Sequence, residues 1–130
     1  MSRYDLVVIG GGPAGEKAAV AAAYFGKRVA LVDDSTNGPG GAAVHTGTLP
    51  SKTLRESALY LTGFRKRELS DLLRERVRSE AGSATTLVGR LAAIRQTQTA
   101  QIDANLARHG VERLTGRASF LDATHVDAGR

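Results

Sequence analysis

The sequence predicts a three-layer α/β fold built on a parallel sheet, and three observations carry that expectation. Two short apolar runs, the β-branched Leu6–Ile9 and Val29–Val32, bracket an Ala-rich stretch within the roughly 30 residues of one strand–helix–strand unit. Between the first run and the helix lies Gly10-Gly11-Gly12-Pro13-Ala14-Gly15, which satisfies G-x-G-x-x-G with Gly10, Gly12 and Gly15. Asp33 closes the second run at about the 20-residue offset used by a dinucleotide-binding crossover. The fold class expected is therefore a Rossmann-like sheet, incomplete within this chain.

Each element has its own signal. Leu6–Ile9 has no polar alternation, the pattern of a strand buried on both faces. Pro13–Phe25 reads as a helix, with Ala18, Ala22 and Phe25 at helical spacing and Gly26 where a left-handed cap belongs. Val29–Val32 is the second strand. Asp34, Ser35, Thr36, Asn37, Gly38, Pro39, Gly40 and Gly41 form a loop rich in turn residues. Pro50 suits the first turn of a helix through Leu54, Ala58 and Leu61 to about Gly63.

Between Arg65 and Arg78, Glu68, Asp71 and Glu75 interleave with cations around Leu69, Leu72, Leu73 and Val77, which describes a solvated amphipathic helix. A longer helix is expected from Thr86 to His109, with Leu87, Leu91, Ile94, Ile102 and Leu106 near one face and Gly110 ending it. Val111–Leu114 reads as a third strand, and Ala118–Phe120 and Thr124–Val126 as short β runs.

Composition narrows the function. Hydrophobic residues make up 42% of the 130-residue chain and charged residues 24%, the balance of a folded globular domain. The net charge of +5 follows from 18 Lys plus Arg against 13 Asp plus Glu, but the excess is interleaved with carboxylates, so no nucleic-acid partner is expected. There is no cysteine, which removes disulfides, zinc-thiolate sites and thiol nucleophiles. Three scattered histidines predict no metal site. The start lacks a signal region and no apolar run approaches the roughly 20 residues that span a bilayer, so a cytoplasmic protein without a membrane partner is expected.

The glycine motif carries the chemistry. Gly10 permits the tight turn, Gly12 lets backbone approach a pyrophosphate, and Gly15 allows close packing of helix on strand. Pro13 and Ala14 open a helix whose free N–H groups and dipole suit phosphate, while Asp33 is placed to accept hydrogen bonds from an adenosine ribose diol. Asp34, its neighbour, is either a further cofactor contact or a solvated turn residue.

A second segment, Gly40-Gly41-Ala42-Ala43-Val44-His45-Thr46-Gly47-Thr48-Leu49-Pro50-Ser51-Lys52, resembles the flavin-facing segment of the pyridine nucleotide-disulfide oxidoreductases, the lipoamide dehydrogenase-like class. There a Gly-Gly pair leads into two cysteines and then Pro-Ser-Lys; here Ala43 and Thr48 stand at the cysteine positions. Thr48, the run through Glu56, and Leu59-Tyr60-Leu61-Thr62-Gly63 are most similar to the soluble pyridine nucleotide transhydrogenases. Leu114-Thr115-Gly116-Arg117-Ala118-Ser119-Phe120 resembles the family's Gly-x-Ala-x-Phe strand.

The resemblance implies an amino-terminal part of an FAD-binding domain spanning residues 1–130. It implies FAD as cofactor, NAD(P) as substrate through a domain this chain lacks, and a homodimer in the complete parent. It places Gly41, Ala42, Lys52 and the Ala118 backbone against FAD, with Thr48 and Lys52 at the flavin. Without thiols, dithiol reduction cannot run at Ala43 and Thr48, and hydride exchange between NADPH and NAD at the flavin remains. Alternatives are a non-catalytic or degenerate nucleotide-binding fragment, a dihydrolipoamide dehydrogenase-like homologue, and a flavin-free NAD-binding dehydrogenase. His45 is not expected to act as a base, since no carboxylate is placed by sequence to orient it; His109 and His125 read as a helix-end and a strand residue.

Overall fold

The computed structural model describes residues 2–66 and 84–129. In chain order the elements are β1 (Leu6–Ile9), α1 (Pro13–Tyr24), β2 (Val29–Asp33), α2 (Gly41–His45), α3 (Thr48–Lys66), α4 (Ala84–Arg108), β3 (Glu112–Thr115), β4 (Ser119–Phe120) and β5 (Val126–Asp127). The expected parallel α/β architecture is borne out: β1, β2 and β3 form one sheet in that order, with Leu6 opposite Val29 and Ala30 opposite Glu112. β4 and β5 pair antiparallel as a separate hairpin.

The core follows from the two-residue period of β2. Val29 and Leu31 project to one face and meet Ala19 of α1, Leu106 of α4 and Val111, with Val8, Val20, Ala22, Ala23 and Ile102 packed around them. Every residue of β2 is buried, as the middle strand of a sheet requires. β1 differs from the expectation of burial on both faces, because it borders the sheet with β2 as its one described neighbour, and Ile9 is 48% exposed.

Helix α1 ends as expected, with Gly26 N–H on the Ala23 carbonyl (2.9 Å) and Lys27 N–H on that of Ala22 (3.1 Å). Its buried face is not the one read from the sequence. Ala19 is fully buried, whereas Ala18 is exposed and Phe25 is 77% exposed, because a helix made largely of alanine carries almost no amphipathic signal.

Helix α2 was expected as loop. α3 runs past Gly63 to Lys66, and the amphipathic helix expected onward to Arg78 lies, beyond Lys66, outside the described residues. β3 begins one residue late, since the Val111 N–H is held by the Leu106 carbonyl (3.0 Å) as part of the α4 stop. β5 likewise begins at Val126, and His125 lies in the β4–β5 turn rather than in a strand. No described helix is long and apolar enough to cross a membrane.

Candidate functional site

At the carboxyl end of β1 the chain turns into α1 through the glycine run. Gly10 has φ 101°, a conformation closed to most side chains, and its N–H reaches the Val32 carbonyl at 2.7 Å. Gly15 is where helix meets strand, and a Cβ there would overlap the Gly10 carbonyl oxygen. Gly12 is the extended N-cap, with φ −70° and ψ 177°; a Cβ on it would touch only the Gly41 Cα, at 3.9 Å. Among the described residues no protein acceptor takes the N–H groups of Gly12, Ala14 or Gly15, and the first helical bond is Glu16 N–H to the Gly12 carbonyl. Pro13, at the start of the helix, has no N–H to satisfy.

The acid at the tip of β2 lies on this turn. Asp33 is 8% exposed, its Oδ2 accepts from Gly11 N–H, and its Oδ1 accepts from Ser35 N–H at 2.8 Å. The sequence placed Asp33 beside the glycines but gave no sign of these two amide bonds. Asp34, next to it, is exposed. The Asp33 carbonyl accepts from Gly116 N–H at 3.0 Å, which starts the β3–β4 connection at the same strand tip, two residues before Ala118.

The loop after β2 folds back on the turn. Gly40 N–H donates to the Gly11 carbonyl at 2.8 Å, Pro39 is fully buried, and a Cβ on Gly41 would lie 2.9 Å from the Gly12 Cα. Glycine at position 41 permits that approach, at a φ of 55° that side chains rarely adopt. Ala42 lies in the first turn of α2, and its carbonyl accepts from both Thr46 N–H (3.2 Å) and Gly47 N–H (2.6 Å). His45 Nε2 lies 3.0 Å from the Gly38 carbonyl, a contact that ties α2 to the loop.

Thr48 and Lys52 share the first two turns of α3, both exposed, with the Thr48 carbonyl accepting from Ser51 Oγ at 3.1 Å. The structure thus brings Gly10, Gly12, Pro13, Ala14, Gly15, Asp33 and Gly41 into one cluster, with Ala42 on its border. Thr48, Lys52, Asp34 and Ala118 stand on adjoining segments. Sequence reading passed over Glu16, whose carboxylate is buried on the first turn of α1 and accepts from Asn105 Nδ2 at 2.7 Å. Its one sequence signal is an acid in the turn that follows the last motif glycine. Among the described residues no three His, Asp or Glu side chains cluster as a metal site would require.

Chemically, three unbonded amides at a helix start and a shielded carboxylate at the neighbouring strand tip can hold an anion beside a hydroxyl donor. Residues 5–124 match the family described as FAD dependent oxidoreductase. The chain belongs to the FAD-dependent oxidoreductases. Within them it is 41% identical over 125 residues to a soluble pyridine nucleotide transhydrogenase of Mycobacterium tuberculosis, over 94% of this chain and 25% of that protein. A second protein of that name, from Hahella chejuensis, is 40% identical over 96% of this chain and 26% of its own length.

Among solved structures, the HOCl-induced flavoprotein disulfide reductase RclA of Escherichia coli, in its Cu(II) complex, superimposes with a TM-score of 0.71 at 28% identity. That match covers 94% of this chain and 23% of the reductase. The chain therefore spans about a quarter of the length of these relatives. Membership in an FAD-dependent oxidoreductase family meets the expectation of FAD as cofactor, and the likeness to transhydrogenases and to a flavoprotein disulfide reductase meets the expected resemblance.

Proposed function

We propose that this chain is the amino-terminal part of the FAD-binding domain of a transhydrogenase-like oxidoreductase that passes hydride between NADPH and NAD without a redox disulfide. One observation carries the reading: the free N–H groups of Gly12, Ala14 and Gly15 stand above the strand tip that holds Asp33. In this reading those amides donate to the diphosphate of FAD, with Gly10 and Pro13 shaping the turn beneath them. Helix α1 adds the partial positive charge of its amino terminus. The Asp33 oxygens keep lone pairs beyond the two amides they bind, and these accept from the adenosine ribose, with Asp34 at the rim.

Gly41 and Ala42 form the second wall, and the Ala118 backbone borders the adenine end. The exposed Lys52 ammonium supplies positive charge beside the flavin ring, and Thr48 gives a polar, non-covalent surface where relatives of the class place a thiol. FAD, when bound, supplies the two-electron carrier that takes a hydride from one nicotinamide nucleotide and yields it to another. With alanine at 43 and threonine at 48, no residue of this chain can form a mixed disulfide. The homodimer and the cytoplasmic location belong to the same proposal.

The test is spectroscopic. The full-length protein is expected to purify yellow, to bleach with NADPH, and to recover its colour when thio-NAD is added. A colourless protein would contradict the reading and favour a nucleotide-binding module without turnover, the alternative that the cysteine-free sequence itself suggests.

A further inference from the structure

Among the described residues, the buried carboxylate next to the glycine turn makes no hydrogen bond with the cluster of free amides and Asp33. Glu16 follows Gly15 directly, is 8% exposed, and shares its Oε1 between Asn105 Nδ2 at 2.7 Å and the exposed Lys17 ammonium at 3.2 Å. A buried negative charge beside an anion-binding helix start opposes the anion, so ligand contact does not explain it. Its half-buried partner does. Asn105 belongs to the last turn of α4, where its carbonyl takes His109 N–H at 3.3 Å and the next residue, Leu106, is a core side chain 1% exposed. α4 is thereby anchored to the sheet, and Asn105 reaches from that anchor to the first turn of α1.

We propose that Glu16 is a positioning residue: its hydrogen bond from Asn105 fixes the first turn of α1 against α4, and so fixes the direction of the free amides of Ala14 and Gly15. An amide cradle binds strongly when its N–H groups are aimed before the ligand arrives, because ordering them afterwards weakens binding. The bond spans 89 residues of sequence, so it also makes the turn depend on the far end of the fold. The inference rests on the nucleotide-binding reading above.

The measurement is the dissociation constant of FAD from the full-length apoprotein, followed by flavin fluorescence, with melting of each apoprotein recorded alongside. Glu16→Ala and Asn105→Ala each weaken FAD binding by about tenfold, the effect of losing one partly buried hydrogen bond to a charged group. The double variant is no weaker than either single one, and Glu16→Gln, which keeps an acceptor for Asn105, restores binding to within about twofold.

The two alanine variants remove the same bond from opposite sides, so one that fails to fold does not decide the outcome. Unchanged affinity in Asn105→Ala overturns the proposal, as does additivity in the double variant or a Glu16→Gln protein as weak as Glu16→Ala. A wild-type protein that takes up no FAD overturns the nucleotide-binding reading and this inference with it, whereas tight wild-type binding with indifferent variants overturns this inference alone.

Discussion

Gly12 and Gly15 are three residues apart and are glycine for different reasons. At Gly15 a Cβ would run into the Gly10 carbonyl oxygen, a backbone atom that cannot move without opening the turn. At Gly12 the backbone is extended and a Cβ would make only an ordinary contact with the Gly41 Cα at 3.9 Å. Gly15→Ala is therefore expected to destabilise the fold by about 3 kcal/mol, measured by denaturant unfolding. Gly12→Ala is expected to change stability by less than about 1 kcal/mol and to lower flavin retention, because the added methyl stands where the diphosphate approaches. Equal losses of stability at both positions would contradict this division. The sequence motif names both glycines and assigns the same two roles; what it does not contain is Gly41 pressing on Gly12, since that contact depends on a loop whose path no periodicity encodes.

Among the elements, those with an unbroken apolar run, a helical period or a clear stop were legible, and those without were not. β1 and β2 follow from unbroken apolar runs, and α4 from Leu91, Ile102 and Leu106 recurring at helical spacing. α2 is five residues long and begins at Gly40 and Gly41, residues that read as loop formers, so nothing local announces it. The buried face of α1 is not legible in the sequence because Ala18, Ala19, Ala22 and Ala23 are chemically alike, and only packing against Val29 and Leu31 selects among them.

The β4–β5 hairpin is held by its turn rather than by a core, since Phe120 is exposed and each strand is two residues long. Asp122 accepts from Thr124 N–H at 2.7 Å and His125 N–H at 2.8 Å, with the His125 ring beside it. The Thr124 amide first, and then the His125 side chain, hold its carboxyl below the ordinary value of 3.8. A depressed carboxylate stabilises the folded form above its unfolded pKa and loses that contribution as pH falls through the folded one. The Thr124 and His125 amides are thus expected to keep their protection down to about pH 3.8 and to lose it below. Asp122→Asn should remove this acid transition, and an identical pH profile in that variant would contradict the assignment.

At the scale of the whole molecule, the sheet is bordered by a strand with a half-exposed Ile9, and the chain covers about a quarter of its relatives. The fold class was legible because one strand–helix–strand unit with its glycines and its terminal acid is a local object. The site was legible in its parts but not in its connections. Asp33 was placed beside the turn by spacing, yet its bonds to Gly11 and Ser35, and the tie from Glu16 to Asn105, arise only when distant segments pack.

Diphosphate binding at the glycine turn depends on amides left free there, and backbone amide NMR of this chain reads them directly. Titration with ADP, which carries the diphosphate and the ribose, is expected to move the Gly12, Ala14 and Gly15 resonances. Riboflavin, which has neither group, should leave them in place. Amides at these three positions that ignore ADP, while others in the chain respond to it, would contradict the account.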